Sequence, residues 1–367
     1  MAQIQIPSGM RDILADECSA KNHLKKRIMG VYRSYGYRPI ETPLIEFYST
    51  YQNTFTSLKE ETLYKFVDES GQILVIRTDM TLPIARVTAG KFSEEDIPLR
   101  FCYCSNVYKV RQNFAGKRNE VTDCGIELIG LDSACDIEVL CCALDVMAAL
   151  GFEEYTLEIG NSDFFRQACA ACDISGKQTS VLADLIDRKE IPALKKYVKT
   201  LDLEEKAARF FEQLPLFGGR DALERAEELC FAKPLKEEVQ NMLSLKKTLD
   251  ELGYGDHVTF DLGKVPHLDY YTGIIFEGYV QGIGTGVLSG GRYDALLSKL
   301  GRDLPAIGFG VKLDYLLENI PVNETKITKL YYPKNDPLEA MKKARELRKE
   351  GPLEMIPWDK DTMEVVR

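Results

Sequence analysis

Acidic, hydroxyl and phenolic side chains that could bind a small polar molecule stand close together in three stretches of the chain. R-T-D-M-T contains Asp79 and Thr81, V-T-D-C-G-I-E contains Asp123 and Glu127, and L-D-Y-Y-T contains a pair of tyrosines. A carboxylate in a pocket accepts charge-assisted hydrogen bonds, so Asp79 with Thr81 is suited to holding an ammonium group. The structural alternative is that Asp79 is a turn residue and Glu127 a paired carboxylate.

The tyrosine pair, Tyr270 and Tyr271, precedes a strand-like run, T-G-I-I-F-E-G-Y. Phenolic hydroxyls are amphipathic groups that reach a polar partner while the ring packs against apolar neighbours. They could therefore line a pocket or lie in the core with satisfied hydroxyl groups. The residue types alone leave both interpretations open.

Composition excludes several classes of protein. The chain has 367 residues, of which 45% are hydrophobic, enough for a large core and for two domains. Its apolar runs are far shorter than a membrane span, and its first residues lack the pattern of a signal peptide, so we expect a cytoplasmic protein. The net charge of −10 carries no basic footprint for nucleic acid, which argues weakly against tRNA as a partner.

The cysteines do not form a recognisable metal-binding pattern. Cys169 and Cys172 form one C-x-x-C, Cys102 and Cys104 form a C-x-C, and the chain has only three histidines. A structural zinc site usually needs a second pair of ligands at a suitable spacing. We therefore predict no metal and expect buried, reduced thiols.

The pattern of hydrophobic residues predicts an α+β chain. It indicates helices over 16–35 and 133–150, a hairpin over 63–77, and a strand pair over 101–130 whose connecting loop is polar. Amphipathic helices dominate 161–255 and indicate a helical insertion. Strands resume after it, and a strand, a helix and a further strand are predicted near the end. The expected domains are 1–320, containing the insertion, and a short βαβ-like tail over 326–367.

This layout resembles the histidyl-tRNA synthetase family of class II synthetases over roughly residues 5–320. The matching stretches occur in the order of the family, and they are PSGMRD (7–12), ETPLIE (41–46), IRTDMTLP (76–83), the strand pair of 101–130, LDYYTGIIFE (268–277), GGRYD (290–294) and IGFGVKLDYL (307–316). The resemblance implies an antiparallel sheet of six or more strands, flanked by helices. That sheet would carry an amino-acid and ATP pocket, usually in a homodimer.

The resemblance also implies a set of histidine-binding residues. Asp79 and Thr81 would hold the ammonium group, and Glu127 would contact the imidazole. Tyr270 and Tyr271 would bond the other ring nitrogen. Asp123 stands where the family has glutamine and Lys109 where it has arginine. The implied site comprises Asp79, Thr81, Lys109, Asp123, Glu127, Tyr270 and Tyr271.

In three motifs, an arginine of an active synthetase is lost or replaced. Pro266 and His267 replace the arginine and glycine before L-D-Y-Y, Tyr315 replaces an arginine of the third motif, and Lys109 keeps only a charge. Forming an aminoacyl adenylate brings two anions together, so such sites depend on fixed cations. Arg292 remains in GGRYD. We therefore expect no catalytic residues and no cofactor.

Within the family, these departures resemble the regulatory subunits of short-form ATP phosphoribosyltransferase, which serve histidine biosynthesis. The resemblance implies a non-catalytic chain that dimerises, joins a short catalytic chain in a hetero-octamer, and mediates feedback inhibition by histidine. Two alternatives stay open: a synthetase-like paralogue with residual amino-acid activation, and a stand-alone amino-acid sensor.

Overall fold

The structure is a computed structural model that describes residues 5–55, 60–110, 118–265, 271–319 and 326–367. Its contacts divide the described chain into two compact units. The first unit comprises residues 5–12 and 21–319, and the second comprises residues 13–20 and 326–367.

A large sheet forms the centre of the first unit. Among the described residues it has nine strands, in the spatial order β1-β5-β6-β12-β11-β10-β7-β9-β8. In chain order they are β1 (Arg38–Pro39), β5 (Leu99–Tyr108), β6 (Glu120–Ile129), β7 (Tyr155–Asn161), β8 (Gly218–Gly219), β9 (Val258–Asp261), β10 (Ile274–Val280), β11 (Leu288–Arg292) and β12 (Ala306–Lys312). The pairs β1–β5 and β7–β9 are parallel and the others antiparallel, so the sheet is mixed. The expected architecture of an antiparallel sheet flanked by helices is confirmed, and the structure adds two parallel pairs, β1–β5 and β7–β9, whose strands are joined by longer connections.

A second, three-stranded sheet lies in the same unit. Its strands are β2 (Ile45–Phe47), β3 (Lys65–Val67) and β4 (Ile73–Ile76), in the order β2-β4-β3. The pair β3–β4 is the hairpin that the sequence predicts, and its turn forms where Asp68 accepts bonds from the backbone N–H groups of Ser70 and Gln72. Large apolar side chains stay exposed on this sheet, including Phe47 at 52% and Phe66 at 39%.

Among the described residues of the first half of the chain, the helices that flank these sheets are α1 (Ala15–Ser34), α2 (Tyr48–Thr54), α3 (Thr81–Lys91) and α4 (Asp136–Leu150). A short 3₁₀ turn precedes α4, and the Asp132 side chain caps it by accepting a bond from the N–H of Ala134. Gly151 ends α4 with φ 86°, in the left-handed region that glycine favours. The 3₁₀ turn and α4 together span the predicted helix over 133–150.

Helices fill the segment between β7 and β9, as the sequence predicts. They are α5 (Ser162–Ala170), α6 (Lys177–Asp187), α7 (Ile191–Val198), α8 (Glu205–Gln213), α9 (Ala222–Leu229) and α10 (Lys233–Glu251). Buried aromatic rings pack these helices together, and Phe210 lies 5.5 Å from Phe164 and 5.3 Å from Phe231, measured between ring centroids. Two short helices follow later in the chain, α11 (Asp294–Lys299) and α12 (Leu313–Leu316).

The second unit contains a small sheet with one helix. Its elements are β13 (Thr328–Pro333), α13 (Pro337–Leu347), β14 (Leu353–Trp358) and β15 (Glu364–Val366). β13 and β14 are parallel across α13, which is the predicted strand–helix–strand unit, and β15 adds an antiparallel edge to β13. Leu330, Ala344 and Leu347 form its small core.

The expectation that the cysteines stay reduced was wrong for one pair. Cys104 on β5 and Cys124 on β6 are directly opposite each other and form a disulfide. Side chains at directly opposed positions of an antiparallel pair come close together, and this juxtaposition is not visible in the spacing of cysteines along the chain. In the part of the chain that the structure describes, no helix is long and apolar enough to cross a membrane, and no cluster of three metal-ligating side chains occurs.

Candidate functional site

The floor of the candidate site is built by neighbouring strands of the large sheet. Asp123 and Glu127 lie on one face of β6, because side chains four residues apart on a strand share a face. On β12, side chains at Gly308 and Gly310 would overlap the carboxylates of Glu127 and Asp123 respectively. The two glycines therefore leave the space that these carboxylates occupy.

A cavity of about 230 Å³ opens above this floor. Tyr271 and residues from β4's end, α3, β5, β6, β11 and β12 surround it. The described lining residues are Thr78, Asp79, Thr81, Tyr103, Val107, Lys109, Arg118, Asn119, Val121, Asp123, Tyr271, Ser289, Gly290, Gly291, Tyr293, Gly308, Phe309, Gly310, Lys312 and Tyr315. The set mixes carboxylates, cations, hydroxyls and aromatic rings, as small-molecule sites do.

Glu127 lies at the base of the site and is 1% exposed. Thr81 Oγ1 donates to its Oε1 at 2.8 Å, and Tyr293 OH donates to its Oε2 at 2.5 Å. Burial raises the pKa of Glu127 to about 8. The two hydrogen bonds lower this pKa, and the charges of Asp79 and Asp123 raise it. Such a group is poised to receive a proton donor or a cation.

Asp79 lies two residues before the start of α3 and three residues beyond the end of β4. Its Oδ1 accepts the N–H of Leu82 at 3.0 Å, and its Oδ2 accepts the hydroxyl of Thr78 at 2.9 Å. Asp79 is therefore both a turn residue and a lining residue, so the two sequence interpretations are compatible.

Arg77 fixes the backbone before Asp79. Its guanidinium donates to three carbonyl oxygens: Asn106 at 3.0 Å, Thr42 at 2.8 Å and Pro43 at 3.4 Å. Arg77 is 6% exposed. The stretches E-T-P-L-I-E and I-R-T-D-M-T thus meet at one buried arginine, which holds the entry to α3 in place.

Asp123 has remaining capacity for hydrogen bonding. Its Oδ1 is buried and has no hydrogen-bond partner among the described residues. Burial raises the pKa of Asp123 to about 7, while the charge of Lys312 lowers it and that of Asp79 raises it. An unsatisfied buried carboxylate oxygen is costly, and a ligand cation would relieve that cost.

The cations of the cavity come from two places. Lys109 and Arg118 flank the loop between β5 and β6, and Lys312 ends β12. Arg118 lies 3.7 Å from Asp314, a carboxylate that also takes Lys21 at 3.0 Å and the N–H of Thr122. Asp314 is therefore an ion-pair partner of Arg118. Arg111 and Lys117 lie outside the described residues.

Arg292 is committed to a structural network. Its guanidinium pairs with Asp136, with Nε 3.1 Å from Oδ1, and with Asp294 at 3.0 Å, and it donates to the carbonyls of Leu131 and Asp132. It is not among the described residues that line the cavity. Tyr315, which is 9% exposed, does line the cavity from α12.

Five of the seven predicted site residues line the cavity: Asp79, Thr81, Lys109, Asp123 and Tyr271. A sixth, Glu127, lies beneath it and accepts hydrogen bonds from the lining residues Thr81 and Tyr293. Tyr270 lies outside the described residues, as do Pro266 and His267. Sequence reasoning missed Tyr293, which bonds Glu127 directly, and the two glycines of β12. The alternation G-F-G-V-K and the tyrosine of GGRYD were the available signals.

Comparison with known proteins places this architecture in a family. The family model described as Histidyl-tRNA synthetase matches residues 9–316. The regulatory subunit of ATP phosphoribosyltransferase from Clostridium novyi is 38% identical over 87% of this chain and 76% of its own length. The one from Clostridium kluyveri is 34% identical over 94% of this chain and 91% of its own length.

The chain belongs to the histidyl-tRNA synthetase family, in its branch of ATP phosphoribosyltransferase regulatory subunits. A solved structure agrees with this branch. The protein from Bacillus halodurans, described as an ATP phosphoribosyltransferase regulatory subunit/histidyl-tRNA synthetase, superposes with a TM-score of 0.87 at 32% identity. The match covers 98% of this chain and 94% of that one. The fold of the chain therefore matches that of a solved member of the branch.

In this regulatory-subunit fold, Glu127 should make stability depend on pH. Its folded pKa is about 8 against an ordinary value of 4.5, so between these values the folded state binds more protons than the unfolded state. The free energy of unfolding of the wild type, relative to Glu127→Gln, should fall as pH rises from about 4.5 to about 8, with a slope approaching about 1.4 kcal/mol per pH unit.

Chemical denaturation at a series of pH values measures this difference. Glu138→Gln is the matched control, because Glu138 is a half-exposed carboxylate paired with Arg100. A wild-type minus Glu127→Gln difference that stays constant between pH 4.5 and 8 would contradict the raised pKa of Glu127.

Proposed function

We propose that this chain is a non-catalytic regulatory subunit of short-form ATP phosphoribosyltransferase, the first enzyme of histidine biosynthesis, and that histidine binds in the cavity above Glu127. One observation carries the proposal: the cavity keeps the buried carboxylates suited to an amino acid, while Arg292 is committed elsewhere and Tyr315 stands at the position of a motif arginine. The names of the relatives support the regulatory role.

Histidine fits the groups that the cavity presents. Glu127, held by Thr81 and Tyr293, is placed to pair with an imidazole nitrogen. Asp79 and Asp123 offer carboxylate oxygens to the ammonium group, and Tyr271 adds a phenolic ring at the wall. Each of these contacts is charge-assisted or buried, and such contacts give specificity for a small polar ligand.

Adenylate formation is not expected from this site. The attack of a carboxylate on the α-phosphate of ATP needs cations aimed at the developing charge. Lys109 provides a point charge in place of a two-pronged guanidinium, and Tyr315 provides none. The residues that catalyse phosphoribosyl transfer are therefore assigned to the partner chain, and no cofactor is assigned to this one.

The exposed face of the small sheet supports a homodimer. Cross-strand pairing puts Ile45, Phe47, Phe66, Leu74 and Ile76 on one face, opposite the face that carries Val75 and Glu46. Exposed apolar patches of this kind mark protein interfaces. The occupant proposed for this face is a second copy of the chain, and a purely monomeric chain in sedimentation velocity would reject this part of the proposal.

The larger assembly follows the family resemblance. A hetero-octamer of four regulatory and four catalytic chains in the cytoplasm is proposed, with no membrane and no tRNA as partner. Histidine would act by binding more tightly to the inactive state of the assembly than to the active one, because an effector shifts an equilibrium only through its difference in affinity.

The decisive test combines this chain with a short catalytic chain. The rate of condensation of ATP with phosphoribosyl pyrophosphate is measured with and without this chain, each with and without histidine. The proposal expects activity to rise with this chain and to fall on addition of histidine. Histidine-dependent ATP–pyrophosphate exchange would favour the synthetase paralogue, and histidine binding with no effect on a cognate catalytic chain would favour the stand-alone sensor.

A further inference from the structure

We propose that Lys312 receives the α-carboxylate of the bound amino acid while Asp123 receives its ammonium group, so that the cavity selects amino acids over amines that lack the carboxylate. The inference rests on the proposed function, because it takes histidine as the ligand of this cavity. At position 266 the sequence has proline where the family has an arginine, and Lys312 would supply a cation from β12 instead.

The direction of the Lys312 side chain follows from the strand. On β12, the positions of Gly308 and Gly310 face Glu127 and Asp123, because side chains built there would overlap those carboxylates. Side chains two residues apart on a strand share a face. Lys312 is the next position on this face, and it lines the cavity. On this face of β12, two glycines without side chains, Gly308 and Gly310, are therefore followed by the cation of Lys312.

Lys312 and Asp123 are a cross-strand pair. They are directly opposite each other in the antiparallel register of β12 and β6. Opposed side chains interact across such a pair, and the charge of Lys312 acts on Asp123. It also acts on Glu277, but that carboxylate has Lys264 at 2.6 Å as a closer cation. Asp123 is thus the pocket carboxylate that adjoins Lys312.

The covalent structure of an α-amino acid makes this pair relevant. Its ammonium and carboxylate groups are bonded to the same carbon, so their two receptors must be neighbours. The oxygens of Asp79 already accept bonds from Leu82 and Thr78, whereas Oδ1 of Asp123 has no hydrogen-bond partner among the described residues. An ammonium group at Asp123 places the ligand's carboxylate beside Lys312.

Ligand binding on this arrangement would give Asp123 and Lys312 one charged ligand group each. Within the protein, the charge of Lys312 acts on Asp123. The zwitterion then offers a cation to Asp123 and an anion to Lys312, with the net charge of the site unchanged. An amine such as histamine can pair its ammonium group with Asp123 but has no carboxylate for Lys312. It should therefore bind less tightly than histidine in the same cavity.

The test compares histidine with histamine, its decarboxylated analogue, by titration calorimetry on the full-length protein. For Lys312→Met we expect affinity for histidine to fall by roughly tenfold to a hundredfold, the range for a charged hydrogen bond, while affinity for histamine stays within about twofold. Lys312→Arg should retain much of the preference for histidine. Lys247→Met is the control, because Lys247 is an exposed lysine on α10 with only a helical pair to Glu251.

The outcomes separate this inference from the proposed function. If the wild type binds histidine and Lys312→Met keeps the same histidine-to-histamine ratio, the role of Lys312 is rejected and the proposed ligand stands. If the wild type does not bind histidine, both the role of Lys312 and the proposed ligand are rejected. Asp123→Asn provides a second variant should Lys312→Met not fold: it should weaken histidine and histamine by similar factors, and unchanged affinity for both would overturn the assignment of Asp123.

Discussion

Glu127→Ala is expected to weaken histidine binding by about 1–3 kcal/mol, which is roughly 5-fold to 150-fold in the dissociation constant. The substitution removes the carboxylate that is proposed to pair with the imidazole, and leaves that ring nitrogen without a partner in a buried site. It also frees the hydroxyls of Thr81 and Tyr293, which both donate to Glu127. Titration calorimetry on the purified chain measures the change.

The control for this prediction is Glu138→Ala, which removes a half-exposed carboxylate from α4. Its affinity for histidine should match the wild type. Equal affinity of the wild type and Glu127→Ala would place the effector site elsewhere in the protein. Circular dichroism of both variants verifies that the comparison is made between folded proteins.

Arg292→Ala is expected to lower the free energy of unfolding by about 3–5 kcal/mol, because it leaves a buried carboxylate without its cation. The side chains of Arg292 and Asp136 are both 4% exposed. The arginine also donates to Asp294 and to the carbonyls of Leu131 and Asp132. One substitution therefore removes the group that ties the end of β11 to the starts of α4 and α11.

Arg188→Ala gives the matched comparison. Arg188 directly follows α6 and pairs with Asp184 of that helix, with side-chain exposures of 62% and 49%. Its cost should be below about 1 kcal/mol. Denaturant unfolding of the two variants and the wild type measures both effects. Similar small losses for Arg188→Ala and Arg292→Ala would show that the buried network contributes little to stability.

Most of the fold could be predicted from local patterns. The hairpin of β3 and β4, the capped helix α4 and the helical segment before β9 follow from turn residues, caps and periodicity. The parallel edges of the large sheet could not, because pairing between distant strands leaves no local pattern. The same reason explains why the Cys104–Cys124 bridge was missed: it depends on the register of two strands.

The residues of the site could be predicted better than their arrangement in space. Motif resemblance identified Asp79, Thr81, Asp123 and Glu127, which do line one cavity or its base. It suggested that Arg292 was a retained cation, whereas the structure commits it to Asp136. Whether an arginine faces a cavity or a buried carboxylate depends on the packing of distant helices, which a motif does not encode.

The short connection between β4 and Asp79 has a consequence for cooperativity. β4 belongs to the small sheet whose apolar face is proposed to meet a second copy, and only Arg77 and Thr78 separate its last residue from Asp79. The bonds of Arg77 to three carbonyls leave this connection little freedom to absorb a shift. In such a dimer, a displacement at the shared face would reach the cavity lining of each copy. Binding of a ligand in one cavity would therefore change the affinity of the other.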